Sequence, residues 1–321
     1  MKNLILVLAM ALASSVYSPA QGSPLSQKAL ELQILKQLGF ENAREHSLSK
    51  IFELAEFTDG APIATQLFKQ RLDHFNSKDE RTFEQRYWID SKNAKSDASP
   101  VLFYICGEAT CSPGYLSGAT LEWAKKFGAH MVALEHRYYG KTQPFETLAT
   151  KNLTYLSTAQ AVEDLSAFKK SQKTWTGPWI LIGGSYAGSL SAYARLKHPE
   201  DFVGSLASSA PVEAKANFAE YDLSVSTGAG AKCKASMLEV VAHAETLLND
   251  PTKLLEFKKA FAAEEVLHDV DFLYVLADMA SIAVQYGMRD QFCKAFDDLK
   301  PLEAYAKMGK EMFKFFGLTA V

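Results

Sequence analysis

A serine set among small residues is the feature of the sequence that most directly suggests chemistry. Residues 183–188 read Gly-Gly-Ser-Tyr-Ala-Gly, with an apolar run before them and a helical pattern after them. A serine at a tight turn between a strand and a helix is a nucleophile elbow, which needs small residues two positions before and after it because the backbone passes close on both sides. Gly183 and Ala187 occupy those positions, with alanine a mild departure from the usual glycine. The pattern favours Ser185 as a nucleophile over a turn that only packs. Phosphate binding is disfavoured because neither G-x-G-x-x-G nor a P-loop lysine is present.

The elbow also predicts where a developing negative charge would be stabilised. The backbone N–H of Tyr186 lies at a predicted helix N-terminus, where it can donate a hydrogen bond to an oxyanion. A second donor is expected from the loop after an earlier strand, and Gly107 lies in such a loop. Glu108 follows it, and two interpretations stay open: a carboxylate near the site, or a solvated loop carboxylate.

His136 is the histidine that invites a role as general base. It lies in the segment 135–140, Glu-His-Arg-Tyr-Tyr-Gly, at the carboxyl edge where doubly wound sheets bind ligands. A base in this arrangement normally follows the serine on a late loop, so we favour a structural histidine and arginine that tie the strand end together. The other histidines are weaker candidates by position: His46, His74, His130, His198, His243 and His268.

The elements that would position these residues follow a βα pattern. Residues 65–89 contain two alternating stretches that predict a pair of opening antiparallel strands. Apolar runs then predict strands buried on both faces, at 101–106, 130–135, 179–182 and 203–207. Helical spacing separates these runs, at 118–127, 157–170 and 186–197. The sequence therefore predicts a parallel doubly wound sheet.

Helical periodicity alone is found from residue 217 to 316, with predicted helices at 237–248, 251–263, 270–286 and 291–316. The predicted organisation has four parts: a signal peptide over 1–20, an N-terminal extension with helical character over 21–64, an α/β core over 65–214 and a helical domain over 215–321.

Composition and charge narrow the class of protein. The 321 residues are 48% hydrophobic and 22% charged, which is typical of a globular chain rather than a disordered or multispanning one. Lys and Arg number 34 against 37 Asp and Glu, giving a net charge of −3. No basic field is therefore available for a nucleic acid or an anionic membrane, and neither is an expected partner.

The first 20 residues predict a secretory signal peptide. A short basic start precedes an apolar run over residues 4–13 and small residues up to Ala20. A membrane anchor is the alternative, but this run is short of the roughly 20 residues that a membrane-spanning helix needs. The expected location is secreted, lysosomal or vacuolar.

The cysteines are interpreted in that oxidising compartment. Cys106, Cys111, Cys233 and Cys293 allow three pairings into two disulfides, and their spacing favours Cys106 with Cys111 and Cys233 with Cys293. Metal binding is the alternative, but no CxxC pair or nearby histidine supports it. Asn152 begins an N-glycosylation sequon, which remains a hypothesis.

Six motifs in one order resemble the serine carboxypeptidase family of lysosomal Pro-Xaa carboxypeptidase and dipeptidyl peptidase II. They are LDHF at 72–75, QRY at 85–87, GE at 107–108, LEHRYYG at 134–140, GGSYAG at 183–188 and GSLASSA at 204–210. The version CGEATC at 106–111 is similar to plant and protist members. The resemblance implies an α/β-hydrolase fold with an inserted helical domain. Cys233 and Cys293 match cysteines of that domain. It also implies Ser185 as nucleophile, peptide substrates cut at proline bonds, usually at acidic pH, and no metal or organic cofactor.

The end of the chain departs from the resemblance. The family's triad Asp and His, and the last strands of its sheet, lie beyond the helical domain, whereas this sequence ends at Val321. We therefore interpret the chain as a truncated part of an active peptidase, with the last strands of the sheet missing. Two alternatives are a non-catalytic binding or decoy protein and a lipase or esterase. The sequence does not decide whether the peptide substrate is cut near its amino or its carboxyl end. It does not decide the oligomeric state either, and a homodimer is one possibility.

Overall fold

The computed structural model describes residues 63–263, 268–285 and 287–315, with side chains up to residue 310. The predicted signal peptide and nearly all of the predicted N-terminal extension lie outside the described residues. The described chain falls into two compact units, one ending at Ala214 and the other beginning at Lys215. Within these described ranges, no helix is both long enough and apolar enough to span a membrane.

The first unit is built on a six-stranded mixed sheet. Its strands are β1 (Gln66–Arg71), β2 (Thr82–Asp90), β3 (Val101–Ile105), β4 (His130–Leu134), β5 (Trp179–Gly184) and β6 (Gly204–Ser208). Their spatial order is β1-β2-β4-β3-β5-β6, and β2 pairs antiparallel with both β1 and β4 while the remaining pairs are parallel. The opening antiparallel pair and the parallel direction of the later strands agree with the sequence pattern. β6 is the exception in burial: it was predicted to be buried on both faces but is mostly exposed, because among the described residues it has a neighbouring strand on one side only.

Helices cover both faces of this sheet, which explains the continuous apolar runs of the central strands. They are α1 (Gly118–Phe127), α2 (Thr158–Ser171) and α3 (Ser185–Lys197). Phe103 packs in the same buried cluster as Phe168 of α2 and Leu190 of α3. Leu102, one residue away and pointing to the opposite face, packs with Ala124 of α1. The unit is an α/β-hydrolase fold, in which α3 begins directly at the end of β5.

Local signals explain where these helices begin and end. Ser157 caps α2, its hydroxyl accepting a hydrogen bond from the Gln160 N–H at 3.2 Å. Gly128 ends α1 in the left-handed conformation, with φ of 64°. β6 lies at one edge and pairs only with β5 among the described strands, with Leu206 exposed.

The second unit is helical. Its helices are α4 (Ala219–Ala229), α5 (Ala231–Leu247), α6 (Pro251–Ala260), α7 (Asp269–Gln285), α8 (Arg289–Asp298) and α9 (Pro301–Phe315). Its core contains the aromatic cluster of Phe257, Phe261 and Phe272, with ring centroids 5.2–5.8 Å apart.

One predicted helix of this unit is wrong. The pattern over 291–316 predicted one helix, but α8 ends at Asp298 and α9 begins at Pro301. Proline lacks the N–H that a helix interior needs and restricts the preceding residue, so it stands instead at the first position of a new helix. α4 lies where the sequence showed helical character but no separate helix was predicted.

Candidate active site

Ser185 stands at a sharp turn that only small neighbours permit. It has φ of 55°, the left-handed region that a residue with a Cβ rarely adopts. A Cβ on Gly183 would lie 2.1 Å from the carbonyl oxygen of Ala187, and one on Gly188 would lie 2.9 Å from the Cβ of Ala210. The two glycines are therefore required by close backbone approach, which is the geometry of a nucleophile elbow.

The start of α3 presents backbone donors beside Ser185. Gly184 is the N-cap and supplies no side-chain hydrogen bond, so the first N–H groups of the helix have no cap. The Tyr186 N–H belongs to this first turn, where the helix dipole favours negative charge. Ser185 itself is partly exposed.

Gly107 lies next to the elbow. It follows β3, which is the neighbour of β5 in the sheet. A Cβ placed on Gly107 would lie 3.6 Å from the Cβ of Ala187 and 3.9 Å from its backbone nitrogen. The structure thus brings together Ser185 and the loops that carry both candidate oxyanion donors, Tyr186 and Gly107.

Glu108 is partly buried beside this turn. Its Oε2 atom is enclosed and forms no hydrogen bond with any residue that the structure describes. Burial raises the pKa of the carboxyl group, because water no longer solvates the charged form. Burial raises the pKa of the Tyr139 and Tyr186 hydroxyl groups, and the nearby Glu108 carboxylate adds to this effect.

His136 is buried and contacts Tyr186. Its Nδ1–H donates to the Arg137 carbonyl at 2.6 Å, which leaves Nε2 to accept from the Tyr186 hydroxyl at 3.1 Å. Burial lowers the pKa of His136 to about 4. Both ring nitrogens are therefore engaged, and the geometry supports a histidine that orients Tyr186.

Arg137 and Asp164 form a buried ion pair that fixes the strand end. The Arg137 Nε and Nη2 atoms donate to the two Asp164 carboxylate oxygens at 2.7 and 2.6 Å. His74 Nε2 lies 2.7 Å from Asp164 Oδ1. Asp164 was not predicted from the sequence as a buried partner. The available signal was an acidic residue among the apolar positions of α2, between Ala161 and Leu165.

Glu135 is a second buried acid that sequence reasoning did not single out. Its side chain has no exposed surface, and burial raises the pKa of the carboxyl group. The carboxylate accepts hydrogen bonds from the Cys111 N–H at 3.0 Å and the Thr142 hydroxyl at 2.6 Å. An acidic residue directly after the apolar run of β4 was the signal that could have found it.

The sequence predicted two disulfides and one glycosylation site, and the structure contains the disulfides. Both disulfides, Cys106–Cys111 and Cys233–Cys293, are present. Asn152 is partly buried, and its Nδ2 donates to the Thr147 carbonyl at 3.0 Å. Glycosylation of Asn152 stays a prediction.

One group of side chains has the composition of a metal site. His198, Glu200 and Asp201 place ligand-type atoms within 4.8 Å of one another. They lie at the end of α3 remote from the elbow, and Lys170 Nζ is 3.1 Å from the Asp201 carboxylate. The His198 Nε2 atom lies 3.0 Å from Glu163. Because this group lies at the opposite end of α3 from Ser185, it supports no role for a metal at the elbow.

The amino-acid sequence is similar to a family of serine peptidases and to several of its members. The profile of the family described as serine carboxypeptidase S28 matches residues 70–308. The chain is 42% identical over 238 residues to a probable serine protease of Arabidopsis thaliana, covering 70% of this chain and 48% of that protein. It is 34% identical over 251 residues to the thymus-specific serine protease of Mus musculus, covering 76% and 49%.

Two further similarities are more partial. The lysosomal Pro-X carboxypeptidase of Mus musculus is 37% identical over 155 residues, 45% of this chain and 31% of that protein. A solved proline iminopeptidase of Mycobacterium smegmatis aligns over 69% of each chain with 15% identity and a TM-score of 0.37. The chain spans about half the length of the first curated relatives that it matches.

Proposed function

The chain belongs to the serine carboxypeptidase S28 family, and from this premise we propose that the protein hydrolyses peptide bonds through an acyl-enzyme formed on Ser185. The observation that carries the proposal is the elbow, where Ser185 has φ of 55° at the junction of β5 and α3. In this reaction the serine oxygen attacks the peptide carbonyl, the amine leaves, and water then releases the acyl group.

The loops around the elbow support this chemistry. Attack on the carbonyl places a negative charge on its oxygen, and backbone N–H groups aimed at that oxygen lower the barrier. We assign this role to the N–H groups of Tyr186 and Gly107. Nucleophilic catalysis of this kind also needs a general base. The resemblance implies a triad Asp and His that follow the helical domain, so the test includes any longer product of the same gene.

The finer substrate assignment is a peptide cut at a proline bond, either Pro-Xaa at a carboxyl end or Xaa-Pro at an amino end. Similarity to the lysosomal Pro-X carboxypeptidase supports it. We also propose a secreted, lysosomal or vacuolar location, because the two disulfides suit an oxidising compartment. The reaction as proposed uses no metal or organic cofactor.

Labelling of the longest product of the gene with a fluorophosphonate probe tests the nucleophile. Ser185→Ala is compared with Ser189→Ala, a matched control because Ser189 is a buried serine on the same helix whose hydroxyl has no hydrogen-bond partner. We expect the wild type and Ser189→Ala to be labelled and Ser185→Ala to remain unlabelled. Equal labelling of wild type and Ser185→Ala would refute the proposal.

Substrate panels distinguish the remaining functions. Proline-containing peptides and short acyl esters are offered to the 321-residue chain and to any longer product of the same gene. Hydrolysis of peptides supports the proposal. Hydrolysis of esters alone would indicate an esterase, and peptide binding without labelling would indicate a non-catalytic binding protein.

A further inference from the structure

The main chain of Glu135 is held in place by hydrogen bonds to the neighbouring strand. Its N–H donates to the Arg86 carbonyl at 2.9 Å, and its carbonyl accepts from Gln85 Nε2 at 2.8 Å. Both partners lie on β2, which is the strand next to β4. The carboxylate therefore extends from a rigid point at the carboxyl edge of the sheet.

The carboxylate joins two loops. Its Oε1 accepts from the Cys111 N–H at 3.0 Å, and its Oε2 accepts from the Thr142 hydroxyl at 2.6 Å and the Lys141 N–H at 3.3 Å. Arg86 Nη1 lies 3.5 Å from Oε1 and partly balances the charge. All four of these groups are donors, and an ionised carboxylate offers only acceptors.

The first of these loops carries the candidate oxyanion donor. It is closed by the Cys106–Cys111 disulfide and contains Gly107, the residue next to Ala187 of the elbow. One end is held by the sheet, where the Cys106 N–H donates to the Leu134 carbonyl at 3.1 Å. The other end is held at Cys111 by the Glu135 carboxylate.

The second loop wraps around the same carboxylate. Gly140 has φ of 55°, and a Cβ there would lie 2.0 Å from Glu135 Oε1. The turn is closed by the Tyr138 N–H, which donates to the Thr142 carbonyl at 2.8 Å. The Thr142 hydroxyl also accepts from the Arg86 N–H at 3.0 Å, so this turn is tied to β2 as well.

We propose that Glu135 is a positioning residue for acyl transfer, because its carboxylate holds the Cys106–Cys111 loop so that the Gly107 N–H faces the oxyanion formed at Ser185. The catalytic consequence rests on the proposed function, whereas the holding of the loop does not. Glutamine at position 135 has the same size but turns an NH₂ group toward at least one of the donors, so the loop would move.

Hydrogen exchange tests the holding of the loop without reference to activity. The variants are Glu135→Gln, Thr142→Val and Thr142→Ser, and the control is Glu122→Gln, which makes the same chemical change at an exposed position. We expect amide exchange in residues 106–112 to accelerate at least 10-fold in Glu135→Gln, less in Thr142→Val, and little in Thr142→Ser, which keeps a hydroxyl. Exchange equal to that of Glu122→Gln in both Glu135→Gln and Thr142→Val would overturn the inference.

Kinetics test the catalytic consequence. A displaced oxyanion donor costs rate rather than substrate affinity, so Glu135→Gln should lower kcat about 10- to 100-fold with KM changed less than threefold. The rate of fluorophosphonate labelling should fall by the same factor. Faster exchange with unchanged kcat and labelling would overturn the positioning role. If wild type and Ser185→Ala label equally, the proposed function has failed, and exchange in residues 106–112 still decides whether Glu135 holds the loop.

Discussion

Replacing Arg137 by methionine should destabilise the first unit severely. The guanidinium group is fully buried and pairs with both oxygens of Asp164. It also donates to the main-chain carbonyls of Arg71, Leu72 and Tyr155, at 2.9–3.1 Å. Methionine fills a similar volume but offers no donor and no charge.

The magnitude follows from what is left behind. Removing one partner of a buried ion pair costs about 3–5 kcal/mol, since the other charge stays buried. His74 Nε2 remains 2.7 Å from Asp164 Oδ1, so we expect the lower end of this range. Three carbonyls also lose a donor. In the double variant Arg137→Met with Asp164→Leu the buried charge is gone, so we expect about 2 kcal/mol of the loss to be recovered.

Urea unfolding followed by tryptophan fluorescence measures this effect. Trp88, Trp123, Trp175 and Trp179 are the four tryptophans of the chain, and all lie in the first unit. Arg81→Met is the matched control, because Arg81 also pairs with an aspartate, at 2.6 Å, but its side chain is 56% exposed. The reasoning is refuted if both arginine variants lose equal stability, or if the double variant loses the sum of its single losses.

Three further predictions concern other parts of the molecule. The pKa of His136 is lowered to about 4, so between pH 6.5 and 4 the unfolded state binds a proton that the folded state does not bind. The free energy of unfolding should therefore fall by on the order of 3 kcal/mol as the pH decreases through this range. Unfolding measured at several pH values should show a weaker pH dependence for His136→Gln. Gly183→Ala should destabilise the protein by about 1–3 kcal/mol and slow the fluorophosphonate labelling of Ser185, because the new Cβ would clash with the Ala187 carbonyl. An unchanged melting temperature and an unchanged labelling rate would contradict the elbow geometry. Replacing Cys233 and Cys293 together by serine should lower the free energy of unfolding of the helical unit by about 4 kcal/mol, because the disulfide closes a loop with a sequence separation of 60. Thermal unfolding followed by circular dichroism at 222 nm measures this loss, and an unchanged melting temperature would contradict it.

Much of the fold could be predicted because its signals are local. The central strands read as unbroken apolar runs since helices cover both faces of the sheet, and Ser157 and Gly128 mark helix ends through their own chemistry. The break at Pro301 was also a local signal, but strong amphipathic spacing on both sides concealed it. The elbow was found for the same reason, since its small residues lie within six positions of sequence.

The partners of buried charges could not be predicted from sequence. Arg137 and Asp164 are 27 positions apart, and Cys111 and Glu135 are 24 apart. These pairs form only when the strands are assembled, and no spacing rule connects them. His136 shows the same limit, because its low pKa is caused by burial and its partner Tyr186 lies 50 positions away.

The crowding of Gly140 against Glu135 has a consequence for sequence variation in relatives of this chain. A side chain at 140 would occupy the place of the carboxylate, and a shorter residue at 135 would leave the Cys111 N–H without an acceptor. Mutations at either position alone should therefore be eliminated by selection. The two positions should covary, and where a relative has lost the glutamate, position 140 should admit residues that tolerate a φ of 55°, such as asparagine or aspartate.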